Sequence, residues 1–122
     1  MKSSGYTLIE LMVVVAIVGI ISAIAYPSYQ GYLRDTYQAQ AVADLQSCSS
    51  AIERYYSNDY TYAGADTAGV CTAWSPSDGP EANKRYTLSF PTLTATNYVI
   101  RMTPVDEGAC VQLAANGTQS SC

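Results

Sequence analysis

The sequence contains no histidine. That removes the side chain most often used as a general base near neutral pH, and the commonest ligand of zinc. Cations are scarce as well: six Lys and Arg stand against ten Asp and Glu, for a formal net charge of −4. Arg34, Arg54, Lys84, Arg85 and Arg101 are spread along the chain. Binding to a phosphate backbone needs clustered cations, so nucleic acid is not an expected partner. None of the four cysteines, Cys48, Cys71, Cys110 and Cys122, belongs to a C-x-x-C pair, which argues against a zinc ribbon and a thioredoxin-like redox site. No motif places paired acids together, so no catalytic constellation is proposed, and neither an enzyme nor a cofactor or metal is expected. A length of 122 residues leaves room for one domain and one anchoring segment, not for a multidomain enzyme.

What is present is a long apolar run near the amino terminus. Leu11–Ile21 is apolar without interruption, and after Ser22 the character resumes through Tyr26. Roughly twenty residues could lie in lipid, about 30 Å as a helix. A buried core helix is the alternative, but such a helix in a small domain needs a polar face, and Leu11 to Ala25 offers only Ser22. The membrane reading is preferred. One acid, Glu10, stands at the start of the run. A carboxylate inside an apolar helix costs about 2.5–3.5 kcal/mol on insertion scales, which makes it a functional candidate; the alternative is an interfacial position that reaches water. The small residue Gly5 precedes the run, whereas a secretory signal carries its cleavage site after it. Pro27 follows the run, and its ring opposes the carbonyl four residues earlier, so a helix either bends there or ends.

Beyond Pro27, Ala41, Leu45, Cys48, Ile52 and Tyr55 recur at intervals of four and three, one face of an amphipathic helix, while Gln38, Gln40, Asp44, Ser47, Glu53 and Arg54 fall largely elsewhere. The helix should stop near Ser57-Asn58-Asp59, giving roughly 75 Å from Thr7. Thr61 to Arg85, with Ser75-Pro-Ser-Asp-Gly-Pro80, reads as a long connection, and such loops are functional or tied down. Pairing Cys71 with Cys48 would tie this one to the preceding helix, with Trp74 either over the join or exposed to a partner. Three alternating segments follow, Tyr86–Phe90, Tyr98–Thr103 and Cys110–Ala114, predicting an antiparallel sheet laid on the helix. Asn116-Gly117 is a strong turn dipeptide, a better account than the glycosylation sequon it shares with Thr118. Outside the cytoplasm cysteines pair, and four allow three connectivities.

The stretch Lys2-Ser3-Ser4-Gly5, followed by Tyr6-Thr7-Leu8-Ile9-Glu10, resembles the class III leader of type IV prepilins and pseudopilins. The resemblance implies cleavage by prepilin peptidase between Gly5 and Tyr6, N-methylation of the new Tyr6 amine, and Glu10 as an assembly residue that pairs with the amine of a neighbouring subunit. Tyrosine departs from the usual phenylalanine at that place. Gly19 and Pro27 match a bracket around a helix segment that melts in related filaments, although a glycine in a membrane helix also serves as a packing contact. Leu45-Gln-Ser-Cys-Ser-Ser-Ala-Ile-Glu-Arg-Tyr-Tyr56 and Arg85-Tyr-Thr-Leu88 look like PilE-type minor pilins of proteobacteria, and Cys110 with Cys122 matches the disulfide-bounded loop that ends many of them.

The implied fold is α+β, a long N-terminal helix packed on a small antiparallel sheet. The implied organisation is leader 1–5, membrane or filament-core helix 6–27, and head 28–122, itself divided into helix 28–57, loop 58–85, and sheet with C-terminal loop 86–122. The implied function is a structural subunit of a type IV pilus, a minor pilin promoting assembly and through it adhesion, twitching motility or DNA uptake. A major pilin and a type II secretion pseudopilin are the alternatives. Asp106-Glu107 is a thin basis for the calcium site of the major pseudopilin. Expected partners are other pilin subunits, prepilin peptidase, the inner-membrane assembly machinery and, before assembly, membrane lipid, with the head in the periplasm and later on the extracellular pilus.

Overall fold

A computed structural model describes residues 2–122. It divides into two compact units, one ending at Leu33 and the other comprising Arg34–Cys122, and the single long helix α1, Leu8–Asp59, contributes to both.

In the first unit residues 2–7 have no regular secondary structure and α1 begins at Leu8. Its side chains from Leu8 to Tyr26 are exposed throughout, among them Leu11, Val14, Ile17, Ile20 and Ile24. A helix satisfies its own backbone hydrogen bonds, which suits a segment with no water at its sides. Pro27 lies within α1, and helix is formed on both sides of it. The missing N–H leaves the Ala23 carbonyl without its usual donor. One residue on, the Ser28 hydroxyl donates to the Ile24 carbonyl at 3.3 Å.

In the second unit the remaining part of α1 lies against a five-stranded antiparallel sheet of sequential order: β1 Trp74–Ser75, β2 Tyr86–Leu93, β3 Tyr98–Pro104, β4 Val111–Ala114 and β5 Gln119–Ser121. The periodic stripe becomes the helix side of the core, with Ala41, Leu45, Cys48 and Ile52 buried and Tyr55 half-buried. The sheet side is Tyr86, Tyr98, Ile100, Met102, Val111 and Leu113, with Leu88 and Phe90 packed beside them. Alternation along each strand delivers these residues to one face. The helix closes when Tyr60 takes a left-handed backbone, φ 55°, and its N–H donates to the Tyr56 carbonyl at 2.7 Å.

The sheet has two strands more than its alternation predicts. β1 lies inside the segment expected to be a plain connection, paired through Trp74↔Thr87 and Ser75↔Tyr86, and a short 3-10 turn, Glu81–Asn83, follows it. β2 continues past Phe90 to Leu93 because a shift of register between Ser89 and Thr92 accommodates Pro91, which cannot donate to the ladder. β5 pairs Val111↔Ser121, Gln112↔Ser120 and Leu113↔Gln119. Continuing that register by one step places Cys110 opposite Cys122. The Asn116-Gly117 turn closes the hairpin, with Gly117 at φ 85° and its N–H bound to the Ala114 carbonyl at 2.9 Å, a backbone that glycine adopts freely.

Candidate functional site

At the amino-terminal end Gly5 and Tyr6 lie outside the helix, and Tyr6 is 90% exposed. A β-carbon at Gly5 would meet nothing within 4 Å. Thr7 and Glu10 form a reciprocal cap. The Thr7 N–H and hydroxyl each donate to Glu10 Oε2 at 3.3 Å, and the Glu10 N–H donates to Thr7 Oγ1 at 3.2 Å. This arrangement satisfies donors that a helix start leaves free and places an acid where the helix dipole favours it. Sequence reasoning passed over Thr7, although Thr-x-x-Glu before an apolar run is the signature of such a cap. Farther along, Gly19 lies within α1, and a β-carbon there would also meet nothing within 4 Å. Its small size answers no packing need inside the chain.

In the second unit a disulfide joins Cys48 on α1 to Cys71, with Cα atoms 5.1 Å apart. Four residues beyond Cys71, at Ser75, a polar anchor takes over. Asp44, assigned by periodicity to the polar side of the helix, is in fact buried. Its carboxylate accepts from the Ser75 hydroxyl, from the Ser77 N–H at 3.2 Å and hydroxyl at 2.8 Å, and from Gln40 Nε2 at 3.2 Å. A buried carboxylate needs this number of donors to offset its lost hydration. Trp74, half-buried, turns its indole N–H to the Gly79 carbonyl at 3.0 Å. It therefore braces the 75–79 turn.

Beside the end of α1, Tyr62 stacks on Tyr56 with centroids 4.5 Å apart and meets Tyr98 edge-on at 4.8 Å. Glu53 accepts from the Tyr62 hydroxyl at 3.1 Å and the Tyr98 hydroxyl at 3.2 Å, and Ser49 shares a 2.7 Å hydrogen bond with Tyr98. Burial raises the pKa of Tyr98, with the Glu53 carboxylate adding to the rise and the Ser49 hydrogen bond opposing it. Tyr62 is raised by desolvation first and by Glu53 second, and Tyr86 by burial alone. At the carboxyl end Cys110 and Cys122 are joined, with Cα atoms 5.5 Å apart. Among the described residues no group of three or more acids or cysteines is placed to hold a metal.

Residues 1–26 match the prokaryotic N-terminal methylation motif. Residues 27–120 match the family model described as type IV minor pilin ComP, DNA uptake sequence receptor. The chain belongs to the type IV minor pilin family. Among similar proteins, a fimbrial protein of Neisseria meningitidis serogroup B is 44% identical over 70 residues, 57% of this pilin and 41% of that protein. A fimbrial protein of Pseudomonas aeruginosa is 51% identical over 49 residues, 40% of this pilin and 32% of that one. The pilin thus spans less than half the length of these curated relatives. Its fold is that of the Neisseria meningitidis non-core minor pilin PilV, with TM-score 0.61 at 17% identity over 75% of this chain and 88% of that one.

In this pilin two cations of the second unit pair with acids, and two more touch uncharged neighbours. Arg34 pairs with Glu107 at 3.4 Å and Lys84 with Glu81 at 3.3 Å. Arg85 lies over the Tyr37 ring at 4.7 Å, and Arg101 donates to Gln112 Oε1.

Proposed function

We propose that this chain is a structural subunit of a type IV pilus, a minor component that promotes pilus assembly. The observation carrying that reading is an eighteen-residue apolar window within α1, none of it buried inside the chain, ahead of a head with its own core and two disulfides. Such a helix requires lipid before assembly and other subunits afterwards. On this reading residues 1–5 are the leader, 6–27 the membrane and filament-core helix, and 28–122 the head, whose helix, loop and sheet regions fall at 28–57, 58–85 and 86–122. Prepilin peptidase cuts between Gly5 and Tyr6 and methylates the Tyr6 amine, while the inner-membrane machinery draws the subunit into the fibre, head outward. Glu10 exchanges its Thr7 cap for the amine of a neighbour, since low dielectric favours a paired charge over a lone one. The Gly19 to Pro27 segment, helical here, is where helical order would be lost on assembly.

The test is mass spectrometry of the mature chain with and without the peptidase, alongside Glu10→Ala. Cleavage after Gly5 and an inserted but unincorporated Glu10→Ala chain are expected. A full-length mass in cells containing the peptidase would refute the reading. DNA reception is a second reading, favoured by the description of the matched family. Arg34 and Lys84 sit beside acids, whereas Arg54, Arg85 and Arg101 have no acid partner among the described residues and are the charges that phosphate contacts would draw on.

A further inference from the structure

The segment Ser75-Pro-Ser-Asp-Gly-Pro80 is held more firmly than its composition suggests. Asp44 grips Ser75 and Ser77, Gly79 N–H binds the Pro76 carbonyl at 3.3 Å, Asn83 N–H the Pro80 carbonyl at 3.0 Å, and Arg85 N–H the Ser75 carbonyl at 2.8 Å. Between this framework and α1 opens a cavity of about 470 Å³, lined by Tyr37, Pro76, Pro80, Asp78, Asn83 and Arg85, within the size range of small-molecule sites. Pro76 and Pro80 supply the apolar surface, while the Tyr37 ring carries the Arg85 guanidinium on its face. The side chains of Asp78 and Asn83 have no hydrogen-bond partner among the described residues, and both are exposed. Arg85, stacked on Tyr37 and exposed, also lines the cavity.

We propose that this cavity binds a saccharide ring. A carboxylate accepts only, a guanidinium donates only, and an amide does both, which suits adjacent hydroxyls that each donate and accept. The C–H face of a pyranose needs apolar surface such as Pro76 and Pro80 provide. One acid and one cation in the lining leave the site without net charge, so a sugar fits it better than a nucleic-acid backbone. The rigid turn spares the ligand the cost of ordering a loop. This assignment stands apart from the filament role, because none of these residues belongs to the leader or the apolar helix.

The test uses the full chain in phosphocholine micelles, free of glycoside detergents, and saturation-transfer NMR with methyl glucoside, methyl galactoside and methyl N-acetylglucosaminide as probes. Transfer to the ring protons of at least one sugar is expected. Asp78→Ala and Asn83→Ala should each weaken its affinity about tenfold, as loss of a charge-assisted or well-placed hydrogen bond does, while Arg101→Ala on another face leaves it unchanged. Both loop substitutions are at exposed side chains, and near-UV circular dichroism checks that the fold persists. Absence of transfer from all three sugars, transfer undiminished in both loop variants, or displacement of the sugar by an oligothymidine would overturn the assignment. Filament incorporation of Asp78→Ala is expected to be normal, which separates failure here from failure of the assembly reading.

Discussion

The Asp44 anchor makes a quantitative prediction. Asp44→Ala removes an acceptor used by four donors, yet those donors do not suffer equally. The Ser75 residue is 1% exposed, so its hydroxyl is stranded away from water, at a cost of about 1–3 kcal/mol. Ser77 and Gln40 retain access to solvent and rehydrate, which holds their share to a few tenths each. Relief of the carboxylate's own desolvation offsets part of the total. The expected loss is about 2–3 kcal/mol, a large fraction of the stability of a small domain. Asp44→Asn keeps one acceptor oxygen but turns an amide toward a hydroxyl, and should lose about half as much. Urea unfolding of the full chain in micelles, followed by the fluorescence of Trp74, reads the change directly, because the sole tryptophan braces the same turn. The slope with denaturant should be unchanged while the midpoint falls. Ser75→Ala removes the stranded group, so the double variant should lose less than the sum of the two singles. An Asp44→Ala chain within about 0.5 kcal/mol of the parent, the range typical of surface sites, would refute the reasoning.

Replacing Cys110 and Cys122 together with serine should cost about 3 kcal/mol in the chain-entropy model. Amide exchange should quicken at Gln119–Ser121, while β2 and β3 keep their protection; β5 amides as slow as before would show that the bridge does not hold that strand. The tyrosine cluster sets an alkaline limit. Because the folded-state pKa values of Tyr62, Tyr86 and Tyr98 are raised, the unfolded chain releases their protons first. Their contribution is whole below the unfolded value of about 10 and is lost as pH rises through the folded values. Unfolding midpoints should therefore fall above that pH, and less steeply in Tyr62→Phe and Tyr98→Phe; identical slopes would exclude the cluster as the cause.

The parts of the fold that could be read in advance are those where a local pattern states which side faces inward. Ala41, Leu45, Cys48 and Ile52 are buried at the spacing the sequence shows, and Tyr98, Ile100 and Met102 enter the core as their alternation requires. β1 and β5 carry no such pattern. Trp74-Ser75 is too short to alternate, and Gln119-Ser-Ser121 is exposed along its length. Both are strands only because a neighbour supplies a ladder, in one case beside a bridge between Cys110 and Cys122. At the amino terminus the Thr7 cap on Glu10 could have been found from the spacing of the two residues. Asp44 is the instructive failure. It stands three residues after Ala41 and one before Leu45, at the edge of the apolar stripe, and its charge argued for solvent. The groups that make its burial tolerable, Ser75 and Ser77, lie over thirty residues away. Hydrophobic periodicity encodes burial one side chain at a time, whereas a buried carboxylate is specified jointly with its donors. The cavity lined by Tyr37, Asp78 and Asn83 depends on that joint specification, since the turn that forms it is fixed to the helix through Asp44.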